Sequence, residues 1–503
     1  MWTKRGLYDL IQSKLAGYRL IVVSNREPYA HVRTRAGIEW VRPASGMVTA
    51  LDPILCACGG TWVAHGSGDA DRIAVDAQGH VGAPPDAPRY TLRRVWLSEE
   101  ELAGYYTGLS NEAMWPLCHI AFARPKFDPR DWEQYRRVNE EFADAVLEEA
   151  GGEPTFVFVH DFHLALLPQM LKQRSPNLIV AHFWHIPWPN PEIFRVFPWP
   201  VELLDGLLGS DLIGFHLRHH CQNFLDTLDQ TVEALVDHVG FEVTRNSKTT
   251  LVRPFPIGID FEEHAAESAA PEVECRMRYW RDFLRLDQYT LGLGIDRVDY
   301  SKGIPERIAA IDALLEACPE YVGQFLFLQI GVPSRQDVPA YQQIGAEIDG
   351  AVKRINRKWG RGRWRPVIYL KQQFSRPDMM ALHRLAKFCA VGSLHDGMNL
   401  VAKEFVASRG DEDGVLVLSR FAGAARELTD AIIFNPFSLE ESYEAIRQAL
   451  TMPPDERRRR MQRLRQVTME NNIYRWAGKI LSTLLKFEFP EEAAYAANGA
   501  PGH

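Results

Sequence analysis

Short, almost continuous apolar runs recur along the chain, and each is followed by a polar loop and then by a stretch with helical spacing. Runs of this kind are typical of buried parallel strands. Their alternation with helical patterns such as 131–149 and 305–317 predicts βαβ units, and therefore an α/β fold with doubly wound sheets. The predicted strands are 20–23, 156–159, 179–183, 212–215, 291–295, 325–330, 367–370, 388–391 and 415–418.

These strands are too many for one sheet, so the sequence predicts two α/β lobes. The expected junction lies around 245–260, where a polar stretch precedes Pro254, Pro256 and Gly258. In open α/β sheets, ligands bind beyond the carboxyl ends of the strands. Functional side chains are therefore expected directly after the apolar runs.

The composition narrows the class of function. A formal net charge of -8 argues against broad binding to nucleic acid, which needs a basic face. There is no run of about 18 apolar residues that would predict a membrane span, and the N-terminus does not have the pattern of a signal peptide. The seven cysteines are scattered, as suits a reducing compartment. The sequence thus predicts a soluble, cytoplasmic protein.

The segment 393–404 has the features of a diphosphate and sugar site. Gly397 allows the backbone to approach a ligand closely, and the amides of 398–400 would lie at a helix N-terminus. Asp396 could accept hydrogen bonds from sugar hydroxyls, and Glu404 could hold a ribose. The alternative is an ordinary helix that Asp396 caps.

The segment 294–303 supplies two cations after another predicted strand. Arg297 and Lys302 are five residues apart, which suits them to grip a diphosphate from two sides. A diphosphate that leaves without a metal ion needs such cations, because its developing negative charge must be stabilised. The alternative is a surface loop with two solvated charges.

Two strand ends in the first lobe carry polar groups among aromatic residues. Asp161 follows the strand 156–159 and His185 follows the strand 179–183, an arrangement typical of a sugar-binding wall. A histidine at a strand end can equally be structural. The histidines of 216–220 have no carboxylate or cysteine beside them, so no metal site is predicted there.

Four more residues could surround a phosphorylated ligand. Arg26 lies in the loop after the first strand, and Arg335 follows the strand 325–330. Tyr106 and Trp115 belong to an aromatic segment that could close over the same ligand. Ordinary surface loops and core aromatic residues are the alternative explanation.

Taken together, these segments resemble the trehalose-6-phosphate synthase family, a branch of the retaining glycosyltransferases of family 20. The resemblance extends from about Arg19 to about Trp476. It is carried by the runs at 160–164, 185–189, 297–303 and 396–404. It implies the GT-B architecture, in which two Rossmann-like lobes have a cleft between them.

The resemblance also implies a role for each matched position. The implied catalytic residues are Asp161, His185, Arg297, Lys302 and Asp396. The implied donor-binding residues are Gly46, His185, Arg297, Lys302, Asp396, Gly397, Met398, Asn399, Leu400, Val401 and Glu404. The implied acceptor-binding residues are Arg26, Tyr106, Trp115, Asp161 and Arg335.

The implied reaction is α,α-trehalose-6-phosphate synthesis, in which glucose moves with retention from a nucleotide-glucose, UDP-glucose first, to glucose 6-phosphate. No cofactor, metal, nucleic acid or membrane partner is implied, and a homo-oligomer is left open. Residues 1–250 are expected to form the acceptor-binding lobe and 251–475 the nucleotide-sugar-binding lobe. A helix at about 476–488 should pack back on the first lobe, followed by a disordered tail at 489–503.

Two departures from the family pattern, and one likeness to a sister group, keep alternatives open. The loop that usually reads Gly-Gly is Ser45-Gly46 here, and His395 stands where an arginine is usual. The opening Arg26-Glu-Pro-Tyr29 is closer to glucosylglycerol-phosphate synthases, which use glycerol 3-phosphate. The donor nucleotide (UDP, GDP or ADP) therefore stays open. A catalytically inactive module that senses sugar phosphates is a separate alternative, and the presence of Arg297, Lys302, Asp396 and Glu404 favours catalysis over it.

Overall fold

The computed structural model describes residues 2–14, 17–43, 46–487 and 489. Ser45 and, apart from Phe489, the predicted tail at 489–503 lie outside the described residues. The chain divides into two compact units. Unit 1 comprises Met1–Ile257 together with the chain from Tyr474 onward, and unit 2 comprises Gly258–Ile473. The predicted assignment of acceptor and nucleotide binding to separate lobes stays a prediction.

Unit 1 is built on a ten-stranded sheet with the order β10-β11-β12-β9-β8-β7-β1-β4-β6-β5. Its strands, together with the separate hairpin β2–β3, are β1 (Arg19–Arg26), β2 (Ala30–Thr34), β3 (Gly37–Val41), β4 (Thr61–His65), β5 (His80–Ala83), β6 (Tyr90–Val95), β7 (Thr155–His160), β8 (Leu178–Phe183), β9 (Leu212–Phe215), β10 (Leu235–Asp237), β11 (Glu242–Arg245) and β12 (Lys248–Pro254). The seven strands from β12 to β6 are parallel, and the antiparallel pairs lie at the two edges.

The direction of winding in unit 1 changes at β1. Successive strands extend from β1 through β4 on one side and through β7, β8 and β9 on the other. All residues of β7 and β8 are buried, as expected for central strands covered on both faces. A ligand crevice is expected where the strand order reverses, at the carboxyl ends of β1 and β7.

Helices cover the sheet of unit 1. They are α1 (Lys4–Lys14), α2 (Gly46–Cys58), α3 (Glu99–Glu101), a π-helix (Leu102–Met114), α4 (Trp115–His119), α5 (Pro129–Ala150), α6 (Leu167–Arg174), α7 (Pro191–Phe194), α8 (Pro200–Leu208) and α9 (Arg218–Thr231). A short 3-10 turn (Phe162–Leu164) follows β7.

Unit 2 has a six-stranded sheet, entirely parallel, with the order β15-β14-β13-β16-β17-β18. Its strands are β13 (Thr290–Arg297), β14 (Phe325–Val332), β15 (Val367–Leu370), β16 (Phe388–Val391), β17 (Val415–Ser419) and β18 (Ile432–Phe434). The order reverses between β13 and β16, so these two strand ends define the expected crevice.

The helices of unit 2 alternate with its strands. They are α10 (Phe261–Ser268), α11 (Pro271–Leu284), α12 (Ile304–Ala317), α13 (Pro339–Trp359), α14 (Arg376–Leu385), α15 (Leu400–Ser408), α16 (Leu439–Thr451) and α17 (Pro454–Glu470), with 3-10 turns at Tyr300–Lys302, Pro319–Tyr321 and Gly423–Arg426. The last helix, α18 (Ile473–Leu484), belongs to unit 1 from Tyr474 onward. In the part of the chain that the structure describes, no helix combines the length and apolarity needed to cross a membrane.

The predicted fold class is confirmed in that both units are doubly wound α/β sheets. The core of unit 2 shows how the sequence produces this arrangement. Ile304, Ile308 and Ile311 recur along one face of α12 and pack against Phe327 of β14 and Phe388 of β16. Such i, i+4 and i+3 spacing gives a helix one apolar face that can be buried only against the sheet.

Candidate active site

Arg26 ends β1 directly after a bulge. The parallel register with β4 shifts between Ser24 and Arg26. The buried Ser24 hydroxyl accepts a hydrogen bond from Nε1 of Trp62 at 2.8 Å and donates one to the carbonyl of Arg26 at 2.8 Å. Bulges change the direction of side chains and are common beside functional sites. The half-buried Arg26 is therefore placed at the carboxyl end of β1 by a defined irregularity.

A buried ionic cluster fixes the residue next to Arg26. Nε of Arg94 donates to Glu27 at 2.9 Å, and Nη2 of Arg94 lies 2.8 Å from Asp71. All three side chains are inaccessible to solvent. Burial and a hydrogen bond with Asp71 raise the pKa of Glu27 to about 7. Sequence reasoning missed this cluster, because nothing in the β6 pattern marks Arg94 as a core residue.

Asp161 adopts a backbone conformation that ordinarily belongs to glycine. Its φ is 73° and its ψ is 170°, and such strain costs about 1–3 kcal/mol and is concentrated at functional sites. The Asp161 N–H donates to the carbonyl of Phe183 at 2.7 Å, and its carboxylate accepts from the N–H of His185 at 3.2 Å. The structure thus brings together the two polar residues predicted at the ends of β7 and β8.

The imidazole of His185 is held in a cluster of histidines. The Nε2 atom of His185 lies 3.0 Å from Nδ1 of His160, and the backbone carbonyl of His185 lies 3.1 Å from Nε2 of His216. Burial, together with the neighbouring His160 and His216, holds the pKa of His185 well below its ordinary value. His185 is therefore neutral at physiological pH, with one nitrogen as donor and the other as acceptor.

The π-helix positions the predicted aromatic residues of unit 1. Its hydrogen bonds include one from the N–H of Trp115 to the carbonyl of Ser110, five residues earlier. The ring of Tyr106 stacks on His163 at 5.7 Å and 12°, and the ring of Trp115 lies 6.0 Å from Phe162. Both rings therefore contact the turn that directly follows Asp161. Short π-helical insertions often mark functional sites, and a 13-residue one is unusual.

In unit 2 the structure joins the two central strand ends through an ion pair. Arg297 is the last residue of β13, and Lys302 ends the 3-10 turn that follows. The ammonium of Lys302 donates to Oδ2 of Asp396 at 2.6 Å, across 94 residues of sequence. The predicted cation loop and the predicted sugar loop therefore meet at the carboxyl ends of β13 and β16.

Asp396 is oriented by its own loop and does not cap a helix. Its Oδ2 also accepts hydrogen bonds from the Ser393 hydroxyl at 3.1 Å and from the Asn399 amide at 3.3 Å. The cap of α15 is Asn399, whose φ is 86° and whose side chain accepts from the N–H of Ala402 at 3.1 Å. The alternative reading of Asp396 as an ordinary N-cap is wrong.

The loop before α15 is fixed through its backbone. The N–H of Gly423 donates to the carbonyl of Asp396 at 3.1 Å, and the N–H of Ala424 donates to that of Met398 at 2.8 Å. Gly397 lies between these two bonds. An α-helix has no internal partners for its first N–H groups. Those of Leu400 and Val401 therefore lie at the positive end of α15, where helices bind anions.

Glu404 lies on α15 in the second turn and is half-buried. Burial raises the pKa of Glu404 to about 7, with Arg376 opposing the shift. This carboxyl group therefore changes its charge close to neutral pH.

Arg335 follows β14 and lies near Arg297. Both guanidinium groups approach Asp299, at 3.9 Å and 3.6 Å respectively. The unit 2 site thus presents three cationic side chains, those of Arg297, Arg335 and Lys302, beside the two carboxylates Asp299 and Asp396, and this excess of cations suits anionic ligands. Among the described residues, no group of three or more His, Cys, Asp or Glu side chains is arranged to hold a metal ion.

Known proteins are similar to this chain in sequence and in fold. The sequence matches Glycosyltransferase family 20 over residues 18–486. It is 37% identical over 492 residues to a trehalose-6-phosphate synthase of Mycolicibacterium vanbaalenii, covering 95% of this chain and 98% of the relative.

Two solved structures are also similar to this chain. The Escherichia coli enzyme bound with UDP-2-fluoro glucose has a TM-score of 0.83 and 34% identity, covering 93% of this chain and 99% of that one. A UDP-forming synthase from Burkholderia xenovorans in complex with glucose-6-phosphate has a TM-score of 0.83 and 32% identity, with the same coverage. From its sequence and its fold, the chain belongs to glycosyltransferase family 20.

Proposed function

We propose that this protein is an α,α-trehalose-6-phosphate synthase that transfers glucose with retention from UDP-glucose to glucose 6-phosphate. The observation that carries the proposal is the meeting of Lys302 and Asp396 at the strand-order reversal of unit 2, in a chain that matches trehalose-6-phosphate synthases along almost its whole length. All seven cysteines are free, which fits a cytoplasmic enzyme.

The donor is assigned to the residues around the ends of β13 and β16. Arg297 and Lys302 stabilise the charge that develops on the leaving diphosphate. The amides of Leu400 and Val401 bind its oxygens at the helix N-terminus, and Glu404 accepts hydrogen bonds from the ribose hydroxyls. Gly397, Met398 and Asn399 form the backbone that leads to these amides. Gly46 in unit 1 is the remaining residue assigned to donor binding.

The acceptor is assigned to the cations Arg26 and Arg335, which suit its phosphate group, and to the aromatic rings of Tyr106 and Trp115. The neutral His185 can donate a hydrogen bond to the glucose of the donor. Asp161 is assigned to the reaction centre, and its strained backbone supports this assignment.

The proposed reaction needs no protein nucleophile. In the front-face route implied by the family, the leaving phosphate takes the proton of the acceptor hydroxyl while the new bond forms on the same face of the sugar. The residues of the two strand-end sites then act by orienting the substrates and by stabilising charge.

The decisive test is product analysis by mass spectrometry, with UDP-, GDP- and ADP-glucose each offered with glucose 6-phosphate or glycerol 3-phosphate in the presence of EDTA. A disaccharide phosphate from UDP-glucose and glucose 6-phosphate, with an α,α-1,1 linkage, is expected. Product only from glycerol 3-phosphate would replace the proposal with glucosylglycerol-phosphate synthesis. Ligand binding without any product would favour a sensing module. The Lys302→Ala variant, purified in parallel, controls for contaminating activity.

The raised pKa of Glu404 predicts a pH dependence of donor use. The ionised carboxylate accepts hydrogen bonds from two ribose hydroxyls through its two oxygens. In the protonated form one of these oxygens carries the proton and becomes a donor. The group is ionised above its pKa of about 7, so kcat/KM for UDP-glucose should fall as the pH drops from 8 to 6. With one titrating group of pKa about 7, the expected loss is about tenfold over that range.

The measurement is the pH profile of kcat/KM for the donor at saturating glucose 6-phosphate, because the acceptor phosphate itself titrates near pH 6. Glu404→Gln should give a lower and flatter profile. If kcat/KM of Glu404→Gln fell between pH 8 and pH 6 by the same factor as that of the wild-type enzyme, another group would be responsible.

A further inference from the structure

Asp299 is a buried carboxylate beside the two arginines assigned to the phosphate groups of the substrates. It follows the end of β13 by two residues and has no exposed surface. Its Oδ2 lies 3.6 Å from Nη2 of Arg297 and 3.9 Å from Nη1 of Arg335. One negative charge is thus shared by two guanidinium groups.

Short contacts hold Asp299 itself in place. Its Oδ1 accepts hydrogen bonds from the N–H and the hydroxyl of Ser301, each at 2.9 Å. The phenol of Tyr341 donates to Oδ2 at 3.2 Å and accepts a hydrogen bond from Arg335. The guanidinium of Arg335 also lies over the ring of Tyr341, 5.3 Å from its centre. Tyr341 therefore supports Arg335, whereas Arg297 meets this network through Asp299.

The charge of Asp299 is maintained by its surroundings. Burial acts to raise the pKa of this carboxyl group, but Arg297, Arg335 and Lys302 together hold the pKa below its ordinary value. Asp299 is therefore ionised at neutral pH and offsets the mutual repulsion of the nearby cations.

We propose that Asp299 is a positioning residue that fixes Arg297 and Arg335 relative to each other, so that the donor diphosphate and the acceptor phosphate are bound at a set separation. The inference rests on the proposed function, because it assigns the two arginines to two different substrates. Asp299 acts through these arginines and not on the substrates directly. The loss of Asp299 should therefore weaken the binding of both substrates together. The loss of one arginine should not have this double effect.

The test compares Asp299→Asn with Tyr341→Phe by steady-state kinetics. Asparagine keeps the shape of the side chain and can still accept the hydrogen bonds of Ser301, but it removes the charge. Asp299→Asn should raise KM for both UDP-glucose and glucose 6-phosphate by about fivefold or more and lower kcat by about tenfold, because small displacements of binding groups are costly. Tyr341→Phe should raise KM for glucose 6-phosphate and leave that for UDP-glucose within about twofold.

Asp378→Asn is the matched control, because Asp378 is another buried carboxylate of unit 2 and bonds to Trp280 and Ser375. It should lower Tm and leave both KM values unchanged. Unchanged KM values for both substrates in Asp299→Asn would overturn the inference. If that variant does not fold, Tyr341→Phe decides, and an unchanged KM for glucose 6-phosphate overturns it.

The failure of the proposed function is a separate result. It would appear as no product from the wild-type protein. The inference would then be decided by titrating UDP and glucose 6-phosphate into the wild-type protein and Asp299→Asn. Weaker binding of both ligands by the variant upholds it, and equal binding overturns it.

Discussion

Replacing Lys302 with alanine is expected to lower kcat by about 100- to 1,000-fold, the usual effect of removing one group that stabilises a transition-state charge. The ammonium of Lys302 lies at the carboxyl end of β13 and is oriented by its 2.6 Å contact with Asp396. In the proposed reaction, negative charge develops on the leaving diphosphate, so the interaction is stronger in the transition state than with the bound donor. The loss should therefore appear in kcat more than in KM.

The measurement is steady-state turnover together with Tm, because alanine also leaves Asp396 without this partner. Lys358→Ala is the matched control. Lys358 is a half-exposed lysine of unit 2 that pairs with Asp312 at 2.9 Å and Glu316 at 3.1 Å, away from the strand ends. Its removal should change turnover by less than about twofold. A Lys302→Ala enzyme that retains its turnover would exclude this residue from the leaving-group site.

The strands that the sequence predicts are those with continuous apolar runs. All nine predicted runs lie within strands, including β7, β8 and β13, because central parallel strands must be apolar on both faces. The hairpin β2–β3 was missed, since every residue of β3 is exposed and its pattern therefore carries no burial signal. The strand β6 was missed because the core residue Arg94 interrupts its apolar pattern.

The sequence could predict that the residues of the candidate site lie at strand ends, but it could not predict the contacts between them. Polar residues after strand ends identified Arg297, Lys302 and Asp396, because parallel strands bring their carboxyl ends to one edge of a sheet. The bond between Lys302 and Asp396 joins residues 94 apart in sequence, and no local pattern can show it. The same holds for Asp299, whose importance follows from the approach of Arg335 from another strand.

Backbone conformation was the second feature that the sequence concealed. The backbone of Asp161, with φ 73° and ψ 170°, lies in a region that is essentially confined to glycine, and the π-helix that carries Tyr106 has no recognised sequence signal. Tertiary contacts must maintain both. The stacking of Tyr106 on His163 and the bond from Asp161 to Phe183 are contacts of this kind.

Replacing Gly423 with alanine is expected to lower kcat/KM for UDP-glucose by about 100-fold, although Gly423 has no assigned contact with the substrate. A Cβ atom at this position would lie 2.0 Å from the carbonyl oxygen of Gly397 and 3.0 Å from Cα of Met398. These neighbours are backbone atoms, so the backbone of the loop at 396–399 must itself shift. A displacement of about 1 Å at a positioning element is enough for a loss of this size.

The φ of Gly423 lies outside the left-handed region, so the effect of alanine there is one of space and not of backbone strain. Crowding of this kind should also lower the free energy of unfolding by about 1–3 kcal/mol.

Gly345→Ala is the matched control. A Cβ atom there would meet Val298 at an ordinary 3.9 Å, and alanine within α13 should stabilise the protein by about 0.5–1 kcal/mol without altering turnover. The measurements are donor kinetics and chemical unfolding of both variants. If Gly423→Ala bound and used UDP-glucose as the wild-type enzyme does, the loop at 396–399 would not be part of the donor site. A displaced donor-binding loop could not leave binding and turnover unchanged.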